Sequence, residues 1–226
     1  MFAVYKKELK SYLFTSVGYI FIGLFLLMFS IFFYLELFSS AVINFEYLFY
    51  NGATILTFVT PVLTMRMFSE ERKTGTDQLL LTSPRSITSI VLGKFFAAGT
   101  ILLITELFTF VYFAILSYFG EPSFVVAISA LGGFLLLGLA YISFGMWASS
   151  ITENQIIAAV VSIGVFIAMW FVPYFNSTLS VFSLINMFNK FPQGLLSIKE
   201  IITFVSFAVL FIILTIIVLQ RRKSVK

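Results

Sequence analysis

Ser11-Tyr-Leu-Phe-Thr-Ser-Val-Gly-Tyr-Ile-Phe-Ile-Gly-Leu-Phe-Leu-Leu-Met-Phe-Ser-Ile-Phe-Phe-Tyr-Leu35 is a run of 25 residues between Lys10 and Glu36 that carries no charge. The hydrocarbon core of a bilayer is about 30 Å thick, and about 20 apolar residues in a helix cross it. The run is too long for the apolar region of a secretory signal, which is about 7–15 residues. Its glycines, Gly18 and Gly23, are embedded among Phe, Ile and Leu rather than placed at a small-x-small cleavage site. The run is therefore expected to remain in the protein as a membrane span.

Five more stretches repeat the pattern. Glu46 to Arg66 encloses 19 uncharged residues and Lys94 to Glu121 encloses 26, interrupted only by Glu106. Glu121 to Glu153 encloses 31, Glu153 to Lys190 encloses 36, and Glu200 to Arg221 encloses 20. Backbone groups in lipid must be satisfied within the segment, so the spans are helices. The fold class is an all-α polytopic membrane protein with six transmembrane helices, a single six-span domain over residues 1–226. Composition agrees. The 226 residues are 60% hydrophobic and 11% charged, against about 45–50% apolar and about 25% charged in soluble domains. A soluble enzyme is excluded.

The residues that are missing exclude further chemistry. With no Cys and no His, disulfides, thiolate nucleophiles, His-ligated metals and His-dependent triads are out of reach. Gly93-Lys94 is followed by Phe95 and preceded by no glycine loop, so no phosphate-cradling P-loop is present. No catalytic, cofactor-binding or metal-binding residue is assigned, and the chain is not expected to be an enzyme by itself.

The net charge of +4 reads as membrane orientation rather than nucleic-acid binding. Lys6, Lys7 and Lys10 precede the first span; Arg66, Arg72, Lys73, Arg85 and Lys94 lie between the second and third; Arg221, Arg222, Lys223 and Lys226 follow the sixth. These are twelve of the fourteen basic residues, with Lys190 and Lys199 opposite. The positive-inside rule then places both termini in the cytoplasm, as an even number of spans requires.

Three segments do not fit plain spans. Over residues 1–14, Phe2, Tyr5, Leu9, Tyr12 and Leu13 share a helical arc opposite Lys6, Lys7 and Lys10, the pattern of a helix lying in the membrane interface. Pro173, followed by Asn176-Ser177-Thr178, should end the fifth span, and within residues 175–198 the stretch 179–189 stays apolar yet is too short to cross again. A re-entrant outer hairpin closed near Pro192 and Gly194 accommodates them, with a partly apolar outer loop as the alternative. In the long polar interruption from Arg66 to Lys94, Gly75 stops the helix carrying Glu70 and Glu71. Thr76 or Asp77 caps a short helix through Leu79, Leu80 and Leu81, and Pro84 ends it. Ser86 stands where an N-cap for the third span belongs. The alternative for the leucine segment is a solvated loop dipped into the interface.

Glu106 is the one carboxyl deep in a span. An intramembrane carboxyl is a functional candidate by default, and Thr105, Thr109 and Tyr112 offer the other reading, a satisfied interhelical hydrogen bond. Ser129/Gly133 and Gly164/Ala168 have the small-xxx-small spacing that lets helices approach.

Phe68-Ser-Glu-Glu-Arg-Lys-Thr-Gly-Thr-Asp-Gln-Leu-Leu-Leu-Thr-Ser-Pro84, followed by Ile90-Val-Leu-Gly-Lys-Phe95, resembles the segment joining spans two and three of the ABC-2 type transporter permeases. Ile151-Thr-Glu-Asn-Gln-Ile-Ile157 is similar to their short inner loop, and the likeness is greatest to the branch with gliding-motility and nitrous-oxide-reductase maturation permeases. The resemblance implies a permease subunit of an ATP-driven exporter in a bacterial cytoplasmic membrane, paired with a second permease chain (a homodimer or a heterodimer) and surrounded by lipid. Separate ATP-binding subunits would hold ATP and Mg. Residues 76–84 would be the coupling helix, with Glu70, Glu71, Thr76, Asp77, Leu79, Leu80, Leu81 and Pro84 at the ATPase interface. Thr152, Glu153, Asn154 and Gln155 would form a second contact. The competing classes are a proton-coupled carrier using Glu106 and a non-transporting membrane scaffold.

Overall fold

The computed structural model describes residues 1–39, 45–78, 85–119, 123–175 and 183–225. Six of its helices are long and apolar enough to cross a membrane. They are α2 (Ser16–Ser39), α3 (Phe45–Thr64), α5 (Ile87–Phe119), α6 (Phe124–Ile151), α7 (Gln155–Phe175) and α9 (Ile198–Val225). Three shorter helices join them: α1 (Phe2–Phe14), α4 (Ser69–Lys73) and α8 (Leu184–Phe188). No strand occurs among the described residues, so the chain is an all-α polytopic membrane protein. Ser86 caps α5 as its position predicts, its Oγ accepting the Ser89 N–H at 3.3 Å. Gly75 stands at φ +73° directly after α4, a conformation that glycine adopts without steric cost.

Helix α6 is the hub. It packs most extensively against α9 and also touches α3, α5, α7 and α8. Three of its glycines open notches toward three different neighbours. A Cβ at Gly133 would lie 2.4 Å from the Phe191 ring, one at Gly138 2.4 Å from Leu102, and one at Gly145 2.2 Å from the Thr64 hydroxyl. A side chain at Gly133 or Gly145 would force the neighbouring segment away, whereas one at Gly138 would require Leu102 to turn aside. The Ser129/Gly133 pair is thus a real close contact, and Ser129 Oγ also donates to the Phe191 carbonyl at 2.9 Å. Gly164 of the second small-xxx-small pair has no atom within 4 Å of where its Cβ would be, so that pair makes no close contact within the described chain. Identical spacing has opposite outcomes, because the motif says nothing about what stands opposite.

Many of the phenylalanines are internal mortar, while others, such as Phe14 and Phe175, face outward. Phe25 meets Phe29 and Phe134 at 5.7 and 5.6 Å between ring centroids, and Phe134 meets Phe49 and Phe188 at 6.4 and 6.0 Å. Edge-on and offset contacts of this kind stabilise beyond area burial alone. One aromatic cluster therefore joins α2, α3, α6 and α8. Helices α7 and α9 lie at the perimeter, α9 burying a narrow stripe of Phe204, Ala208, Thr215 and Leu219.

The N-terminal helix forms as expected, but its inner face is shifted. It packs on α5, where Val4 and Tyr5 fill the notch at Gly93 and the Tyr5 hydroxyl meets Thr100 Oγ1 at 3.0 Å. Phe2, counted on the apolar arc, is 73% exposed. Much of the arc assigned to the interface is thus covered by the third span.

In the expected outer hairpin, residues 176–182 lie outside the described residues. Within the remainder, residues 184–191 form a buried plug: Leu184, Ile185, Met187, Phe188 and Phe191 are all buried, with α8 packed against α3, α6, α7 and α9. It turns over residues 189–194 through Gly194 N–H to the Phe191 carbonyl at 2.9 Å and Leu195 N–H to the Lys190 carbonyl at 3.1 Å. Pro173 stays within α7, whose described residues run to Phe175.

Candidate functional site

Side chains from both segments nominated for docking, 70–84 and 152–155, and from residues beside them meet at one end of the bundle. Arg72 of α4 is the centre. Its Nη2 donates to Glu153 Oε1 at 2.7 Å and its Nη1 donates to the Ile151 carbonyl at 2.6 Å. Arg222, near the end of α9, donates to the Ser150 carbonyl at 2.5 Å and to the Ile151 carbonyl at 3.3 Å. Two guanidinium groups thereby cap the carboxyl end of α6, where unsatisfied carbonyls and the helix macrodipole favour cations. Arg66 Nε donates to Gln155 Oε1 at 3.2 Å. Ser149 Oγ accepts the backbone N–H groups of Phe68 and Ser69, both at 3.1 Å, and donates to the Met65 carbonyl at 2.9 Å. Residues 65–72, 149–155 and 222 thus form one plate bound by charge-assisted hydrogen bonds, which are about twice as strong as neutral ones.

A second cluster adjoins it. Lys94, on the first turns of α5, is only 2% exposed. Its Nζ lies 2.9 Å from Glu71 Oε1 and 3.2 Å from Glu8 Oε2, and 5.3 Å from the centre of the Phe68 ring. A lone buried ammonium would be costly; two carboxylates and an aromatic face compensate this one. The cluster ties α1, α4 and α5 together. Tyr12 is buried beside it, and burial, with Glu8 and Glu71 nearby, pushes its phenol well above the usual range. A cleft lined by Lys7, Glu8, Tyr12, Arg66, Glu71 and Lys94 opens between the two clusters.

The family model for ABC-2 family transporter protein matches residues 2–224, nearly the whole chain. The chain belongs to the ABC-2 family of transporter proteins. It is an ABC transporter permease subunit, and the expectation drawn from the motif at Phe68–Pro84 holds at that level. None of the curated proteins matches the chain.

In this ABC-2 chain the residues nominated for the ATPase interface fall into three groups. Glu71 and Glu153 are engaged within the chain, in the pairs with Lys94 and Arg72 given above. Glu70 stands 3.9 Å from Arg66 at the surface. Thr76 Oγ1 meets Thr74 Oγ1 at 3.0 Å and donates to the Glu71 carbonyl at 3.3 Å, while Asp77 is half-buried one residue on. In the second segment Thr152 Oγ1 accepts the Asn154 N–H at 3.1 Å, and Asn154 Oδ1 accepts the Ile156 N–H at 2.9 Å as the N-cap of α7. Gln155 receives Arg66. Leu79, Leu80, Leu81 and Pro84 lie outside the described residues.

Sequence reasoning passed over Glu8, Arg66, Arg72, Lys94 and Arg222. Arg72 lay within the quoted motif, and its position beside two acids was the available signal. The partners of Arg222 are some 70 residues away and left no local trace. Among the described residues no group of three or more Asp and Glu converges as a metal site would.

Glu106, deep in α5, is 6% exposed. The hydroxyls that could have satisfied it are engaged elsewhere. Thr105 Oγ1 donates to the Ile101 carbonyl at 2.8 Å and Thr109 Oγ1 to the Glu106 backbone carbonyl at 2.6 Å. The Tyr112 hydroxyl meets Ser30 Oγ at 2.5 Å. The buried Glu106 Oε1 has no hydrogen-bond partner among the described residues.

Proposed function

We propose that the chain is the membrane permease of an ATP-driven exporter, working as a pair of chains with separate ATP-binding subunits docked on the basic end of the bundle. The carrying observation is that Arg72, in the described part of the first segment nominated for docking, and Arg66, just before it, are bound to the second segment, 152–155, through Arg72–Glu153 and Arg66–Gln155. A partner pressing on one segment therefore moves the other, and with it the carboxyl ends of α3, α6 and α9. ATP and Mg would reside in the partner, which supplies the hydrolysis; this chain's residues receive and transmit the displacement. Twelve of fourteen basic residues flanking that end support a cytoplasmic location for it and for both termini, in a bacterial cytoplasmic membrane. The likeness of residues 68–95 favours the branch with gliding-motility and nitrous-oxide-reductase maturation permeases. The carrier reading has little support beyond Glu106 itself.

The test is to change Leu80 and Leu81 together to Asp. Burying one Leu contributes about 1.5–3 kcal/mol, and about 1.4 kcal/mol is tenfold in affinity. The pair should abolish capture of the ATP-binding subunit and its stimulated hydrolysis while the permease's melting curve is unchanged. Undiminished capture would remove the coupling-helix assignment. Labelling of a cysteine at Thr74 only from outside the cell would overturn the orientation.

A further inference from the structure

Glu106 faces a groove of about 320 Å³ between α5 and α6, walled by Leu103, Leu107, Phe110, Ile128, Leu131 and Leu135, with Gly132 also lining it. The groove lies past the midpoint of the 33-residue α5, and its rim is open to the surroundings of the bundle, Leu107 being 57% exposed. A Cβ at Gly132 would meet nothing within 4 Å, so the space beside it is free. The volume falls within the about 300–1,000 Å³ of small-molecule sites, which are apolar with a few placed polar groups. Here the placed group is one carboxyl.

We propose that this groove is a binding site for an amphipathic cation, an apolar or aromatic body carrying one positive charge, that enters from the bilayer. The lining selects it by elimination. A polyhydroxylated ligand would leave its hydroxyls unpaired against Leu and Ile, at about 1–3 kcal/mol each. An anion would face the carboxyl with no cation to offset it. A hydrocarbon chain would fill the walls but has no use for a carboxyl, whose burial in an apolar site is costly. A hydrophobic cation covers the leucines, gives Glu106 Oε1 the partner that Thr105 and Thr109 do not, and can rest a charge against the Phe110 ring. The site requires no ATP-binding subunit and stands independently of the exporter reading.

The experiment uses the full chain in nanodiscs of zwitterionic lipid, with tetraphenylphosphonium and tetraphenylborate as probes of the same shape and opposite charge. Saturable binding of the phosphonium, at least tenfold tighter than the borate, is expected. Glu106→Gln should bring the phosphonium to the level of the borate. Gly132→Leu, which fills the groove and leaves the carboxyl in place, should abolish phosphonium binding; it carries the test alone if Glu106→Gln melts abnormally. Equal phosphonium binding by wild type and a folded Glu106→Gln protein would overturn the proposal. So would equal affinity of the wild type for both probes, or undiminished phosphonium binding by Gly132→Leu.

Discussion

Lys94 and Glu106 are two buried ionisable groups on one helix, about 18 Å apart along its axis. Lys94 is met by Glu8, Glu71 and the face of Phe68 from two other elements. Glu106 is met by leucines and a phenylalanine, with its nearest hydroxyls turned back to their own backbone. The first is a rivet: removing it would strand its partners. The second has no structural work in the described chain, and an ionisable group kept at that depth without structural work points to a ligand.

The contrast is broken most directly at Lys94. Lys94→Met leaves Glu8 and Glu71 facing each other without a cation, and breaking a buried pair in this way costs about 3–5 kcal/mol. Denaturant or thermal unfolding of the purified permease should register that loss, and restoring neutrality with Glu8→Gln and Glu71→Gln should recover part of it. A loss below about 1 kcal/mol would demote the rivet to a surface contact.

Glu106→Leu has the opposite sign. Deleting an unsatisfied buried polar group should stabilise the unliganded chain, by about 1 kcal/mol on the scale of such groups in proteins. A clear fall in melting temperature would reveal a partner and erase the difference between the two sites.

Glu153→Gln sharpens the comparison at its mild end. The carboxyl is 64% exposed, so its pair with Arg72 should contribute no more than about 0.2–1 kcal/mol to stability. Hydrolysis by a docked ATP-binding subunit should nevertheless fall, because the link between the two docking segments is weakened. Unchanged stimulation would mean that the segments act separately.

The spans were readable because uncharged length is a direct measure of what a bilayer will accept, and each of the six stretches holds one helix long enough to cross. The turn at Gly75 and the cap at Ser86 were readable for a related reason: both are local. What escaped was everything decided by a distant neighbour. Val4 and Glu8 looked like ordinary positions on a basic helix until Gly93 supplied a notch and Lys94 a charge. Lys94 itself looked like a boundary marker. The plug at 184–191 was legible as apolar and short, but whether lipid or protein covered it depended on Gly133. For Glu106 the carboxyl was evident, while the hydroxyl question turned on a preference that is local after all: Thr in a helix tends to bond back to the carbonyl three or four residues earlier.

The pairing of α6 with α9 sets an order of events during synthesis. The hub is the fourth span to leave the ribosome, yet its most extensive neighbour is the last. Until residues 198–225 emerge, Phe144 and Trp147 lack the Phe211 ring that meets them at 4.8 and 5.3 Å, and the carboxyl end of the hub lacks one of its two arginines. The hub's flank therefore closes only after residues 198–225 have emerged, and a nascent chain stopped before Ile198 would expose that flank to whatever insertion machinery or chaperone stands beside it.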